Sequence, residues 1–258
     1  MKAIYEPKGK AREYAPLACN LYSGCVHGCL YCYAPAVCHR TREEFHAEAK
    51  PRLGILEALN KDAERYAGTE LPVLLSFTSD PYPPIEDDLE VTRDAIGILT
   101  ARNIPVHILT KAGMRAARDF PLLKGRGCAF GTTLVFSVGP SGETLGEKWE
   151  PHAANVYSRV TAIRMAHSLG IPTFVSIEPI IDPSQAIVLI ETLSDVVDEW
   201  RIGKLNYHPH AQTVDWAEWT PRIYEALLAS GRRFLVKESL REFLPEGTTF
   251  VGGTNGKA

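Results

Sequence analysis

The sequence predicts an α/β fold, an incomplete parallel (β/α)6 barrel. Short apolar runs of strand type alternate with helical stretches along nearly the whole chain. Buried strands of that kind, joined by helical crossovers, pack as a parallel sheet. Length is the second observation. The 258 residues hold about six such units, whereas a closed eight-unit barrel takes about 250 residues and would be crowded here. The third is that polar residues collect just after the predicted strands, where parallel α/β folds place their chemistry.

Residues 1–18 are polar, carry Pro7 and Pro16 and show little periodicity. They are expected as an arm over the body. Residues 18–22 form a first strand that runs into a cysteine-rich loop. Over residues 40–67, Phe45, Leu53, Ile55, Leu56, Leu59 and Tyr66 recur at helical spacing, with Pro51 splitting the stretch into two helices. Residues 71–77 are the second strand and end in Thr78-Ser79-Asp80-Pro81-Tyr82-Pro83-Pro84. A helix over about 89–102, a strand over 106–110 and a short helix to 123 follow. Then come a strand over 128–136, a helix over 152–169, a strand over 171–181 and a helix over 184–193. A strand over 200–207, a helix over 221–229 and a strand over 233–236 complete the series. The whole reads as one domain: the arm, a core over 19–210, and an extension over 211–258 packed on it.

The 45% hydrophobic content is ordinary for a globular protein with a sizeable core. No stretch approaches the roughly 20 apolar residues of a membrane span. Met1-Lys2-Ala3-Ile4-Tyr5-Glu6 lacks the apolar region of a signal peptide, so the expected location is the cytoplasm, with no membrane partner. A net charge of -3 gives no general nucleic-acid footprint. Two local clusters can hold a phosphate backbone: Lys111, Arg115, Arg118, Lys124 and Arg126, and Arg232, Arg233, Lys237 and Arg241. The acidic run Glu86-Asp87-Asp88 offsets part of this.

The chemistry centres on Ser23-Gly24-Cys25-Val26-His27-Gly28-Cys29-Leu30-Tyr31-Cys32-Tyr33. Three cysteines spaced C-x3-C-x2-C can hold three corners of an iron–sulfur cube and leave the fourth iron open. Gly24 and Gly28 let the loop fold tightly enough for the cysteines to converge. Zinc is the alternative, since His27, Cys19 and Cys38 lie nearby, but the second close pair of a structural zinc site is missing. Six cysteines in this length are too few for a disulfide framework and fit a reducing compartment. The other strand ends supply Thr78-Ser79-Asp80, Thr110-Lys111, Thr132-Thr133, Ser176-Ile177-Glu178 and Lys204-Leu205-Asn206-Tyr207. Any one of these reads equally well as a helix cap or turn. Together they mark one rim. Lys204, Asn206, Tyr207 and His208 are expected on its substrate side. His208-Pro209-His210 is a weak hint of a second metal.

The cysteine loop closely resembles that of the radical S-adenosylmethionine (radical SAM) enzymes. Gly24-Cys25 through Tyr33-Ala34, Thr78-Ser79-Asp80-Pro81-Tyr82, Leu109-Thr110-Lys111, and Glu150-Pro151 followed by Arg159 further resemble the spore photoproduct lyase-related branch, also described as DNA repair photolyase-like. The resemblance implies a [4Fe-4S] cluster ligated by Cys25, Cys29 and Cys32, with SAM on the open iron. It implies that Tyr31 packs on the adenine, that Ser79 and Asp80 meet the SAM amino group, and that Lys111 meets its carboxylate. Thr133 would meet the ribose, and Ile177 and Glu178 would border the adenosine. Arg159 is a second candidate for the carboxylate, or a partner of Glu150. The implied partners are SAM, an electron donor such as flavodoxin or ferredoxin, and a substrate such as DNA or another nucleic acid.

In the photoproduct lyases a cysteine precedes the Thr-Ser-Asp triplet and returns a hydrogen atom to the product. Here Phe77 stands in that position and cannot do so. Tyr82, Tyr33, Cys38 and Cys128 are the candidate substitutes. The expected activity is reductive cleavage of SAM followed by hydrogen abstraction from a nucleic-acid base. The alternatives are a peptide or small-metabolite substrate, or a non-catalytic iron–sulfur or zinc scaffold or sensor.

Overall fold

The computed structural model describes residues 2–206 and 208–248. Among the described residues nine strands form: β1 (Leu17–Ala18), β2 (Tyr22–Ser23), β3 (Lys50–Pro51), β4 (Val73–Leu75), β5 (Val106–Thr110), β6 (Ala129–Thr133), β7 (Thr173–Ile180), β8 (Glu199–Lys204) and β9 (Arg233–Val236). Seven of them make one sheet in the order β1-β4-β5-β6-β7-β8-β9. Every neighbouring pair is parallel. The sheet curls into a half-barrel whose edges are β1 and β9.

The helices are α1 (Ala34–Val37), α2 (Arg42–His46), α3 (Ile55–Arg65), α4 (Glu86–Leu89), α5 (Val91–Thr100), α6 (Pro140–Trp149), α7 (Val156–Ser168), α8 (Pro183–Leu193), α9 (Trp216–Ala229) and α10 (Glu238–Arg241). A 3-10 segment, Gly113–Leu123, carries the β5–β6 crossover. None of the described helices is long and apolar enough to cross a membrane.

Strand alternation divides the molecule into two sides. Ile108, Phe130, Val175, Ile177, Ile202 and Val236 face the helices and join Leu59, Leu99, Ile163 and Leu189 in the main core. Ala18, Leu74, Leu109, Ala129 and Phe174 face inward and pack with Tyr14 and Phe77. Gly131 makes room for this inner packing, because a Cβ there would lie 2.3 Å from the Phe174 ring. The inside is therefore filled below the rim and polar at it.

The expected parallel sheet forms, and the strand expected over 233–236 pairs with β8 along its length as the seventh strand. The structure differs from the sequence expectation elsewhere, first in α6, a helix that the sequence pattern does not predict. The expected strand over 18–22 is two short strands. The second, β2, pairs antiparallel with β3, in the middle of the stretch expected as helix. Pro51 does break that helix, and its missing N–H suits the end of a two-residue ribbon. The strand expected over 200–207 stops at Lys204, and Tyr207 lies outside the described residues.

The N-terminal arm has a definite seat between the two sheet edges. Tyr5 forms an antiparallel bridge with Ala18. Lys237, just after β9, donates to the Lys10 carbonyl at 2.5 Å, and the Glu238 N–H donates to Glu13 at 2.9 Å. Tyr14 lies under the guanidinium of Arg201 at 4.6 Å.

Candidate functional site

The cysteine loop runs from β2 to α1 and is held from both sides. The Cys25 N–H donates to the Phe45 carbonyl at 3.1 Å, and the Leu30 N–H to the Trp149 carbonyl at 2.9 Å. Gly24 has φ +79°, and a Cβ there would sit 2.1 Å from the Glu48 carbonyl oxygen. Only glycine fits that turn. Gly24→Ala is expected to cost at least about 2 kcal/mol from left-handed strain and the backbone clash, read as a lowered denaturant midpoint.

Two residues that the spacing argument missed serve this loop. Arg42 donates to the Cys32 carbonyl at 3.1 Å and the Cys29 carbonyl at 2.6 Å. His46 Nδ1 is 2.7 Å from the Cys25 carbonyl. The carbonyls of all three cysteines are thereby tied to α2. The signal in the sequence was the capping box that starts α2, where Thr41 and Glu44 bond reciprocally. It places Arg42 and His46 one turn apart on one face.

The three thiols are free. Burial pushes Cys25 and Cys29 up to about 12 and also raises Cys32, while Lys111 acts against this at all three. The Lys111 amino group lies 5.6 Å from the Tyr31 ring centroid. Burial opposes its charge, but Cys29 and Glu150 outweigh this and hold its pKa above the ordinary value. Ser79 Oγ is buried without a hydrogen-bond partner among the described residues. The Asp80 carboxylate accepts from Thr110 Oγ1 at 2.6 Å, the Tyr82 N–H at 2.9 Å and the Lys111 N–H at 2.8 Å, with His27 Nδ1 3.6 Å away. It joins the ends of β4 and β5 to the cysteine loop.

Glu150 and Arg159 form a buried ion pair at 2.6 Å, with 3% and 2% of each residue exposed. The Tyr31 hydroxyl donates to the same carboxylate. Burial raises the Glu150 carboxyl, but Arg159 and then Lys111 more than offset it, so its pKa is held low. Arg159 also donates to the Ala154 carbonyl at 2.6 Å and the Thr133 carbonyl at 2.9 Å. Cys25, Cys29, Cys32, Tyr31, Ser79, Asp80, Lys111, Thr133 and Arg159 are thus brought to one place.

The remaining expected residues are not all there. Ile177 belongs to the helix-side core, while Glu178, one residue on, faces inward beside Lys237 at 3.7 Å. Lys204 pairs with Glu242 at 3.7 Å and lies over Phe243, on the helix side. Asn206 accepts from Lys10 at 3.1 Å. Tyr82 is fully buried in the helix-side core. Cys38 caps α1 and is half-buried. Cys128 lies at the opposite end of the sheet, where its sulfur accepts from the Val106 N–H. Of the four candidate hydrogen donors, Tyr33 alone reaches Phe77, donating to its carbonyl at 2.9 Å. Among the described residues, no three His, Cys, Asp or Glu side chains converge on a single metal position.

Comparison with known proteins gives the family and the fold. A family model described as the Radical SAM superfamily matches residues 19–187. Among curated proteins, the uncharacterized protein Rv2578c of Mycobacterium tuberculosis is 25% identical over 167 residues, covering 63% of this chain and 48% of that one. The uncharacterized protein MJ0683 of Methanocaldococcus jannaschii is 28% identical over 164 residues, covering 63% and 59%. The chain spans about half the length of the first of these relatives. Among solved structures, Streptococcus suis SuiB bound to S-adenosylmethionine superposes with a TM-score of 0.60 at 11% identity, over 85% of this chain and 49% of that one. A spore photoproduct lyase variant with a dinucleoside spore photoproduct gives 0.60 at 16% identity, over 80% and 61%. These two likenesses establish the fold.

Proposed function

The chain belongs to the radical SAM superfamily, whose members use a [4Fe-4S] cluster and S-adenosylmethionine, and from that premise we propose that it cleaves SAM reductively and abstracts a hydrogen atom from an organic substrate. One observation carries the reading. Three free thiols share a loop whose carbonyls are tied down, and the Lys111 ammonium, over the ring of Tyr31 in that loop, opposes the rise in pKa at all three, while Ser79, next to the Asp80 that accepts from the Lys111 N–H, keeps a buried hydroxyl with no partner among the described residues.

The residues present fit the cofactors. Cys25, Cys29 and Cys32 would hold three irons. With ligand present, Lys111 would meet the SAM carboxylate, since a desolvated carboxylate needs a cation. Ser79 Oγ, buried and without a partner, would accept from the SAM amino group. Asp80 would act by shaping that loop, because its own oxygens are already engaged. Tyr31 would pack on the adenine, Thr133 would meet the ribose, and Glu178 would face the substrate side. When bound, the cofactors supply the chemistry: one electron breaks the sulfonium carbon–sulfur bond to give methionine and a 5′-deoxyadenosyl radical. The packed inner side and the seated arm would keep water and stray hydrogen donors away. The electron would come from a flavodoxin or ferredoxin, in the cytoplasm, where thiols stay reduced.

For the substrate, we read a nucleic-acid base, on the likeness to the photoproduct lyase branch. A peptide or small metabolite is the second reading, and two observations favour it. Phe77 replaces the hydrogen-returning cysteine. The basic clusters are also largely committed to carboxylates: Arg115 to Asp87, Arg118 to Glu86 and Asp119, Arg126 to Glu70, and Arg233 to Glu199. Incubating reduced, reconstituted protein with SAM and an oligonucleotide that carries spore photoproduct separates them. Recovered thymines support the base reading. Release of 5′-deoxyadenosine without repair rejects photoproduct lyase activity and leaves the radical chemistry standing.

A further inference from the structure

The segment between α6 and α7 ties together pieces of the rim that are far apart in sequence. The Leu30 N–H donates to the Trp149 carbonyl at 2.9 Å, and the His152 N–H to the His27 carbonyl at 3.2 Å. The Ala154 N–H donates to the Lys111 carbonyl at 3.0 Å. At its centre, Glu150 accepts from the Tyr31 hydroxyl and pairs with Arg159, which grips the Thr133 carbonyl. This carboxylate therefore connects the cysteine loop to the end of β6, and the Ala154 N–H ties the same segment to the end of β5.

The geometry points to Glu150 as a positioning residue for SAM binding, acting through Tyr31. This rests on the functional reading above. Tyr31 sits between two cysteines of the loop, so its ring orientation and the loop conformation are linked. A ring that packs on an adenine must be held at one angle before the ligand arrives. A hydroxyl bond to an ionised, buried carboxylate does this better than a neutral partner. Arg159 keeps that carboxylate ionised without itself reaching the loop. Lys111, over the Tyr31 ring, shares the same anchor through its carbonyl.

The test is SAM affinity and the electron paramagnetic resonance (EPR) signal of the reduced cluster, with and without SAM, on anaerobically reconstituted full-length protein. Tyr31→Phe keeps the ring and the ion pair and removes only the hydroxyl. Glu150→Gln keeps the shape and removes the charge. Each is expected to weaken SAM binding about fivefold and to alter the SAM-induced change in the signal. The double variant is expected to be no weaker than Glu150→Gln alone, since the two residues act in series. Wild-type affinity and signal in Tyr31→Phe overturn the inference, as do fully additive losses in the double variant. A lower melting temperature with unchanged SAM binding also overturns it, by making Glu150 purely structural. If Glu150→Gln does not fold, Tyr31→Phe decides alone. A wild type that takes up no iron overturns the functional reading and this inference with it. A loaded wild type with unchanged variants overturns the inference only.

Discussion

Cys29→Ala is expected to lose its iron and, with it, all detectable cleavage of SAM. Cys29 is the middle cysteine of the motif and is 6% exposed. Its thiol is pushed up to about 12 by burial, with Lys111 as the largest opposing influence. A free thiol there stays protonated at neutral pH, and metal binding must displace that proton. Two remaining thiolates cannot hold a cube against solvent and chelators. The control is Cys128→Ala. That sulfur is also buried, but it sits at the start of β6, hydrogen-bonded to the Val106 N–H. It is expected to keep its iron and lose only about 1 kcal/mol of stability. Iron content and visible absorbance after anaerobic reconstitution check both. Iron lost equally from the two variants would mean that general destabilisation was being measured.

Arg159→Met is expected to destabilise the fold by about 3–5 kcal/mol, because it leaves Glu150 buried without its ion-pair partner, with the Tyr31 hydroxyl and the Lys111 charge as the remaining offsets. The lost hydrogen bonds to the Ala154 and Thr133 carbonyls add to this. The pH dependence identifies the cause. In the native protein the folded pKa of Glu150 is depressed. Its contribution is present above the ordinary glutamate pKa of about 4.3 and is lost as pH falls below it. In the variant, burial acts without Arg159 and raises the folded pKa, so protonation relieves the strain as pH falls. The stability gap between native and variant should therefore narrow on acidification from pH 8 toward 5. Chemical unfolding at several pH values measures it. A gap that does not change with pH would assign the loss to packing instead.

The parallel architecture was legible because strand and helix runs alternate cleanly from residue 71 onward. The cysteine loop was legible because its three cysteines are local, so spacing alone brings them onto one loop. The β2–β3 ribbon was not, because two-residue strands carry no period to read. Lys204 and Ile177 illustrate another limit. A strand end can be located from sequence, but which side of the sheet each residue faces depends on register, and one residue reverses it. Ile177 turned to the helices and Glu178 to the inside. Arg42 and His46 were missed because they work through backbone carbonyls, which leave no mark in residue type. Glu150 was noticed as part of a matching stretch and as a partner for Arg159, but not as a partner of Tyr31. Its bond to Tyr31 crosses 119 residues, a contact that no local pattern carries.

The central claim is that this loop, with Lys111 beside it, makes a radical from SAM. The most direct test is to reconstitute the protein anaerobically, reduce it, add SAM and assay the products. The expected result is a brown protein with about four irons that releases methionine and 5′-deoxyadenosine. A colourless protein that binds one zinc and leaves SAM intact would contradict it.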